Sequence, residues 1–162
     1  MTLTEVLDEI GGATKVEKRA ISAPSVLNEA FDYPRPSSFS RALRIDLNGL
    51  AILLISGTAS VDENGNTVHA GDFRAQIRRT YLNITELLAA AGATWKDIVR
   101  TTCYLRDIER DYAVFNEERT SFYAEQELDP LPASTGIQAI LCRPDLLVEI
   151  EAIAMFIPQR KE

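Results

Sequence analysis

Apolar and polar residues alternate along the last strand-like run of the chain, Leu146 to Ile157, and a period of two places successive side chains on opposite faces of a strand. Val148, Ile150 and Ala152 fall on one face. Glu149 and Glu151 fall on the other, where Ile153, Met155 and Ile157 continue the row. That second face starts acidic and finishes apolar, which a face left to water would not do, so both faces are expected to be covered. A carboxylate in such a place costs several kcal/mol unless it is paired, hydrogen-bonded or protonated, and its pKa is expected to be disturbed. Just upstream, Thr135 to Leu141 is a second strand-like run. Cys142-Arg143-Pro144-Asp145 between the two carries turn residues, so the pair is predicted to form a terminal hairpin.

The remaining elements follow from the same patterns. Ala42 to Asp46 and Leu50 to Ser56 read as strands around Leu47-Asn48-Gly49, and Asn-Gly is a strong hairpin signal. The second of these strands is continuously apolar, as in a central strand covered on both sides. Gly57 is expected to end it, with Ser56 to Ser60 a loop of small residues that lets a ligand or another backbone come close. Glu63-Asn64-Gly65-Asn66 is a turn. Phe73, Ile77, Tyr81, Ile84, Leu87 and Leu88 recur at helical spacing and predict a helix over 73–91, stopped by Gly92. Thr94 opens a capped turn, and Ile98 to Leu105 is a strand. Tyr112 to Glu125 is a second helix, capped by Asp107 or Asp111, and Leu128 to Pro132 is a stiff loop. At the start, Thr4 to Ile10 is a short helix candidate, and Lys15 to Pro36 reads as an irregular arm over the domain surface. The arm and its helix make residues 1–36 a segment apart from a single domain at 37–162.

The predicted order is β-β-α-β-α-β-β, an α+β fold with a mixed sheet and two helices on one face. Two helices cannot cover both faces, so the face of Glu149, Glu151 and Met155 requires a partner, which predicts an oligomer. With 46% hydrophobic residues in 162, one core suffices. A net charge of -7 and a pI near 4.8 argue against nucleic acid as the principal partner. Cys103 and Cys142 do not make a disulfide framework. The acidic N-terminus lacks a signal-peptide pattern and no apolar run reaches membrane-spanning length, so a cytoplasmic setting without membrane association is expected.

Several motifs resemble the RidA family, also called YjgF or UK114: Pro132-Ala133-Ser134-Thr135, the terminal VEIEAIA, SGTAS at 56–60, AGATWKDIVRTTCYLRDI and FNEERTSFY. The resemblance covers about residues 37 to 157. It implies a chorismate-mutase-like or RidA-like fold, a homotrimer around an inner sheet barrel, and pockets between subunits for a small carboxylated metabolite, an enamine or imine hydrolysed with loss of ammonia. It also marks a departure. Where RidA-type deaminases carry an arginine that grips the substrate carboxylate, this chain has Ser134, while the family's glutamate is kept as Glu149. Cys142, seven residues before Glu149, is similar to a cysteine in the RidA-like half of the chorismatases, which implies enol-ether hydrolysis as an alternative. A ligand-binding trimer without turnover, and an endoribonuclease or translation inhibitor, are the rivals from other classes.

Glu149 is the candidate catalytic acid–base residue, against pairing with an arginine of another chain; Glu151 reads as structural. Arg143 in the turn and Arg41 in FSRALR are candidate anchors for a carboxylate, since a guanidinium binds one in a bidentate fork. Ser134 and Thr135 are candidate polar contacts, Cys142 and Phe39 pocket walls, and Gly57 a point of close approach. Phe39 stands where the family often has tyrosine. His69 is the single histidine, with no acid or cysteine at ligand spacing, so no metal is expected. No GxGxxG, P-loop, CxxC or HExxH occurs, and no cofactor is implied.

Overall fold

The computed structural model describes residues 16–158. The candidate helix at Thr4 to Ile10 lies outside them. Eight elements follow in order: β1 (Val16–Ile21), β2 (Ala42–Leu47), β3 (Leu50–Ala59), α1 (Phe73–Ala91), β4 (Ile98–Leu105), α2 (Ile108–Glu125), β5 (Ala133–Gln138) and β6 (Val148–Phe156). The strands form one sheet in the order β1-β2-β3-β6-β4-β5.

Local chemistry sets the boundaries. β2 and β3 meet at Leu47↔Leu50, so Asn48 and Gly49 are a two-residue turn, both with positive φ (48° and 84°), the backbone that Asn-Gly supplies. Asp72 caps α1 by accepting a hydrogen bond from the Ala75 N–H, and Gly92 ends it in the left-handed region at φ 78°. Thr94 and Asp97 form a capping box over the short turn before β4. Of the two cap candidates for α2, Asp107 serves, accepting from the Arg110 N–H, so the helix starts at Ile108 instead of Tyr112.

Three expectations are overturned. β5 and β6 do not form a hairpin: β5 pairs in parallel with β4, and β6 runs antiparallel between β3 and β4. The run from 139 to 147 is a crossover over β4, and the turn chemistry at Cys142 to Asp145 marks a bend within it. Residues 16–21, read as part of an irregular arm, pair with β2 as the sheet's edge strand. Their alternating pattern is hidden because nearly all six residues are exposed. Finally, β3 does not stop at Gly57 but continues to Ala59 through a bulge. Ile55 pairs with Ala152 and Thr58 with Ile150, which leaves one extra residue on the β3 side.

Both helices pack on one face of the sheet. Val148, Ile150, Ala152 and Ala154 of β6 meet Leu53 and Ile55 of β3 and the α1 stripe of Ile77, Ile84, Leu87 and Leu88 in one buried cluster. Tyr81 of α1 stacks on Phe122 of α2 at 4.3 Å between ring centres, with Trp95 edge-on to both. The arginines Arg74 and Arg78 of α1 are spent on Glu117 and Glu118 of α2. The opposite face has no such cover: Leu54 (40% exposed), Met155 (41%) and Ile137 (41%) lie open there. Among the described residues, no helix is long and apolar enough to cross a membrane.

Candidate active site beside the β3 bulge

Glu149 stands on the uncovered face, paired across the sheet with Ala59 of β3 on one side and Tyr104 of β4 on the other. The bulge at Ser56 and Gly57 makes room for it. A Cβ on Gly57 would lie 2.1 Å from Glu149 Oε1, so the carboxylate rests directly on the glycine backbone. No hydrogen-bond donor among the described residues reaches that carboxylate. Burial is the larger cause that pushes the Glu149 carboxyl above the ordinary glutamate range, and the charge of Glu151 adds to it. Partial burial, then Glu151, raises the Tyr104 phenol as well.

The carboxylate opens into a cleft of about 460 Å³ that brings together Phe39, Arg41, Gly57, Cys142, Arg143 and Glu149, with Glu151 at its edge. These six come from three separate stretches of the chain. Arg41 is buried, its Nε donating to the Asn28 carbonyl at 2.7 Å and its Nη2 to the Tyr33 hydroxyl. Arg143 donates from Nη1 to the Gly65 carbonyl at 2.7 Å and to Thr67 Oγ1 at 3.3 Å. The Tyr33 ring lies against both guanidinium groups, at 5.1 Å from that of Arg41 and 5.2 Å from that of Arg143. Tyr33 and Ser37 are lining residues that sequence reasoning missed, while Ser56 belongs to the small-residue stretch expected to let a ligand come close. The first two sit in or beside the segment read as an arm, where no periodicity points inward. Cys142 is exposed as a residue, but partial burial of its thiol, followed by the Glu149 charge, raises the thiol and leaves it a weak nucleophile.

The loop carrying Cys142 and Arg143 is tied down by Gln76, a fully buried residue of α1. Its Nε2 donates to the Asp145 and His69 carbonyls and its Oε1 accepts from the Leu147 N–H. Gln76→Leu takes the side-chain partner from the Asp145 carbonyl and the Leu147 N–H, both part-buried, while the His69 carbonyl keeps its bond from the Asp72 N–H. It is expected to lower stability by about 1–3 kcal/mol in urea unfolding, the cost of leaving such polar groups unmatched.

Ser134 and Thr135 are not in this cleft. Ser134 faces the helix side, its Oγ 3.0 Å from Thr101 Oγ1 and accepting from Arg119 Nη1 at 3.2 Å. Thr135 faces the other way and accepts from Arg100 Nη2 at 3.1 Å. Both belong to β5, which the crossover carries beyond β4, two strands from β6. Among the described residues, no three His, Cys, Asp or Glu side chains gather to hold a metal ion.

Comparison with known proteins agrees with the fold. The family described as Endoribonuclease L-PSP matches residues 33–156. The 3-aminoacrylate deaminase RutC of Acinetobacter baylyi is 35% identical over 103 residues, 64% of this chain and 78% of that protein. A RutC family protein of Pyrococcus abyssi is 30% identical over 122 residues, 75% of this chain and 89% of its own. Among solved structures, the YjgF gene product of E. coli superposes with a TM-score of 0.66 at 28% identity, covering 84% of this chain and 97% of that one. YyfA of Yersinia pestis, a protein of the conserved Rid family, does so with a TM-score of 0.65 at 28% identity, covering 85% and 98%. With its fold, its terminal strand motif and residues 33–156 accounted for in this way, the chain belongs to the Endoribonuclease L-PSP family, the RidA/YjgF family of the sequence motifs.

Proposed function

We propose that this protein is a small-molecule hydrolase of the imine and enamine deaminase type, acting on a small unsaturated carboxylic acid, with Glu149 as its acid–base group. The observation that carries the reading is the Glu149 carboxylate, half-buried on the Gly57 backbone, raised in pKa and turned into a cleft. A raised pKa makes the ionised carboxylate a stronger base. It takes a proton from water as the oxygen adds to the C=N carbon, and it returns that proton to the nitrogen. The carboxylate then carries the hydroxyl proton to the amine as the C–N bond breaks, so that ammonia leaves, the carbonyl forms, and imine and water become carbonyl compound and ammonia. An enamine joins the same path once its β-carbon is protonated. The relative named a 3-aminoacrylate deaminase supports this substrate class.

Arg41 and Arg143 have their forks tied to the chain's own carbonyls and hydroxyls, so in this reading they hold the cleft walls. The uncovered face with Leu54 and Met155 supports a trimer closed around its sheets, the clefts lying at the boundaries between copies. The net charge of -7 weighs against RNA as substrate despite the family's name. Light scattering is expected to give three times the 18.0 kDa chain mass. A coupled assay is expected to show ammonia released from short 2-imino acids faster than in buffer. A monomer, or no release above buffer for imino and enamino acids alike, contradicts the reading.

A further inference from the structure

A second cleft of about 440 Å³ lies between α2 and β5 and shares no lining residue with the Glu149 cleft. Its walls are mostly apolar: Tyr123, Ala124, Leu128, Leu131 and Pro132, with Leu131 66% exposed at the mouth. Arg119 is the one charged residue that lines it. Neutral groups hold this guanidinium in place. Nη2 donates to Asn116 Oδ1 at 2.6 Å, Nη1 donates to Ser134 Oγ at 3.2 Å, and the group lies 5.2 Å from the Phe115 ring centre. Arg74, Arg78, Arg79 and Arg110, the other arginines of the two helices, all end in ion pairs. Arg119 has no carboxylate partner among the described residues.

The contrast with the first cleft decides where an anion goes. There, Arg41 and Arg143 share the space with Glu149 and Glu151, and an added carboxylate would meet two like charges. Here a fork already oriented but not neutralised sits in an apolar cleft with no acid. That is complementary to a carboxylate with a short apolar body. Ser134 contributes by being small: its hydroxyl meets the guanidinium and leaves the space above β5 to it.

We propose that the α2/β5 cleft seats the carboxylate of a small monocarboxylic substrate, with Arg119 as the anchor. Within one chain the seat and Glu149 are apart, so they act on one molecule only across a contact between copies; the inference rests on the reading above to that extent. Specificity follows from it. The anchor fixes the acid end, and Leu128 and Leu131 favour a short apolar chain over a second charge.

Calorimetric titration of the full-length protein with butanoate, against butanamide as the uncharged control, tests the seat. Butanoate is expected to bind and butanamide to bind at least about tenfold more weakly. Arg119→Gln is expected to weaken butanoate about 10- to 100-fold, the range for losing a charged hydrogen-bonded pair, with the thermal melt unchanged. Ser134→Arg added to that variant is expected to restore binding, because it returns a guanidinium to the same cleft from β5. Arg143→Gln is expected to leave it unchanged. The proposal is overturned if folded Arg119→Gln binds butanoate like wild type, if Arg143→Gln carries the loss instead, or if Arg119→Gln changes the oligomer's mass and nothing else. Glu149→Gln separates the two ideas: it keeps butanoate binding while slowing ammonia release by about 10² to 10⁴. Arg119-dependent binding in a protein that releases no ammonia upholds the seat and sinks the deaminase reading.

Discussion

Replacing Glu149 by Gln is expected to lower the rate of ammonia release by about 10² to 10⁴, the usual contribution of a positioned acid–base group, while leaving the fold in place. Gln is the same size and occupies the same site on Gly57, so the loss reports the missing proton transfer. The variant also makes a stability prediction of opposite sense. Because the folded-state pKa of Glu149 is raised, the folded chain binds this proton more tightly than the unfolded chain does. That contribution is fully present below the unfolded glutamate range and is lost as pH rises through the folded pKa. At neutral pH wild type therefore carries a buried charge that Gln lacks. Glu149→Gln should melt higher than wild type at neutral pH, and the gap should close on acidification. Activity runs the other way with pH: it falls as acid neutralises the base. A site that destabilises its own fold at the pH where it works is a frequent compromise in enzymes.

Gly57→Ala is expected to cost about 10²-fold in rate with little loss of stability. The added methyl group would stand 2.1 Å from Glu149 Oε1 and 3.0 Å from Cδ, so the carboxylate must move. It is the free end of a flexible side chain and can swing away, whereas the strand around Gly57 need not shift. A displacement of about 1 Å in a reacting group is enough for a loss of that order. The Gly57 backbone does not have positive φ, so alanine fits it and gains from a less flexible unfolded chain, by about 0.4–1 kcal/mol. Loss of activity in a protein that unfolds at the same or higher urea concentration is the expected pair of results. Substantial unfolding would instead mean that the bulge itself cannot accept a side chain.

The parts of this architecture that obey a local rule were readable from the residues. The α1 stripe, the Asn48-Gly49 turn, the Gly92 stop and the bounds of β4 all follow from spacing or backbone chemistry within a few residues. The mixed character of the face that starts at Glu149 and ends at Met155 was equally legible, since it depends only on alternation along one strand. Strand order was not. Turn-like residues between two strands read alike whether the chain reverses or crosses over a third strand, and only packing places β4 between β5 and β6. The same ambiguity displaced Ser134 and Thr135, which proximity in sequence had grouped with Glu149. The bulge at Ser56 and Gly57 escaped for a related reason: glycine after an apolar run signals a strand end as readily as a strand that bends and continues. Tyr33 gave no signal at all, because its place between Arg41 and Arg143 is set by contacts across the fold.

The titration of Glu149 itself bears most directly on the mechanism. Carbon-detected NMR of the side-chain carboxyl, followed across the acid range in the intact protein with Glu149→Gln as the assignment control, reads the group without any substrate. An inflection above that of an exposed glutamate, matching the acid limb of the activity profile, is the result expected of a buried base crowded by Glu151. An inflection at or below the exposed value would place the carboxylate in water or in an ion pair and contradict its role as the base.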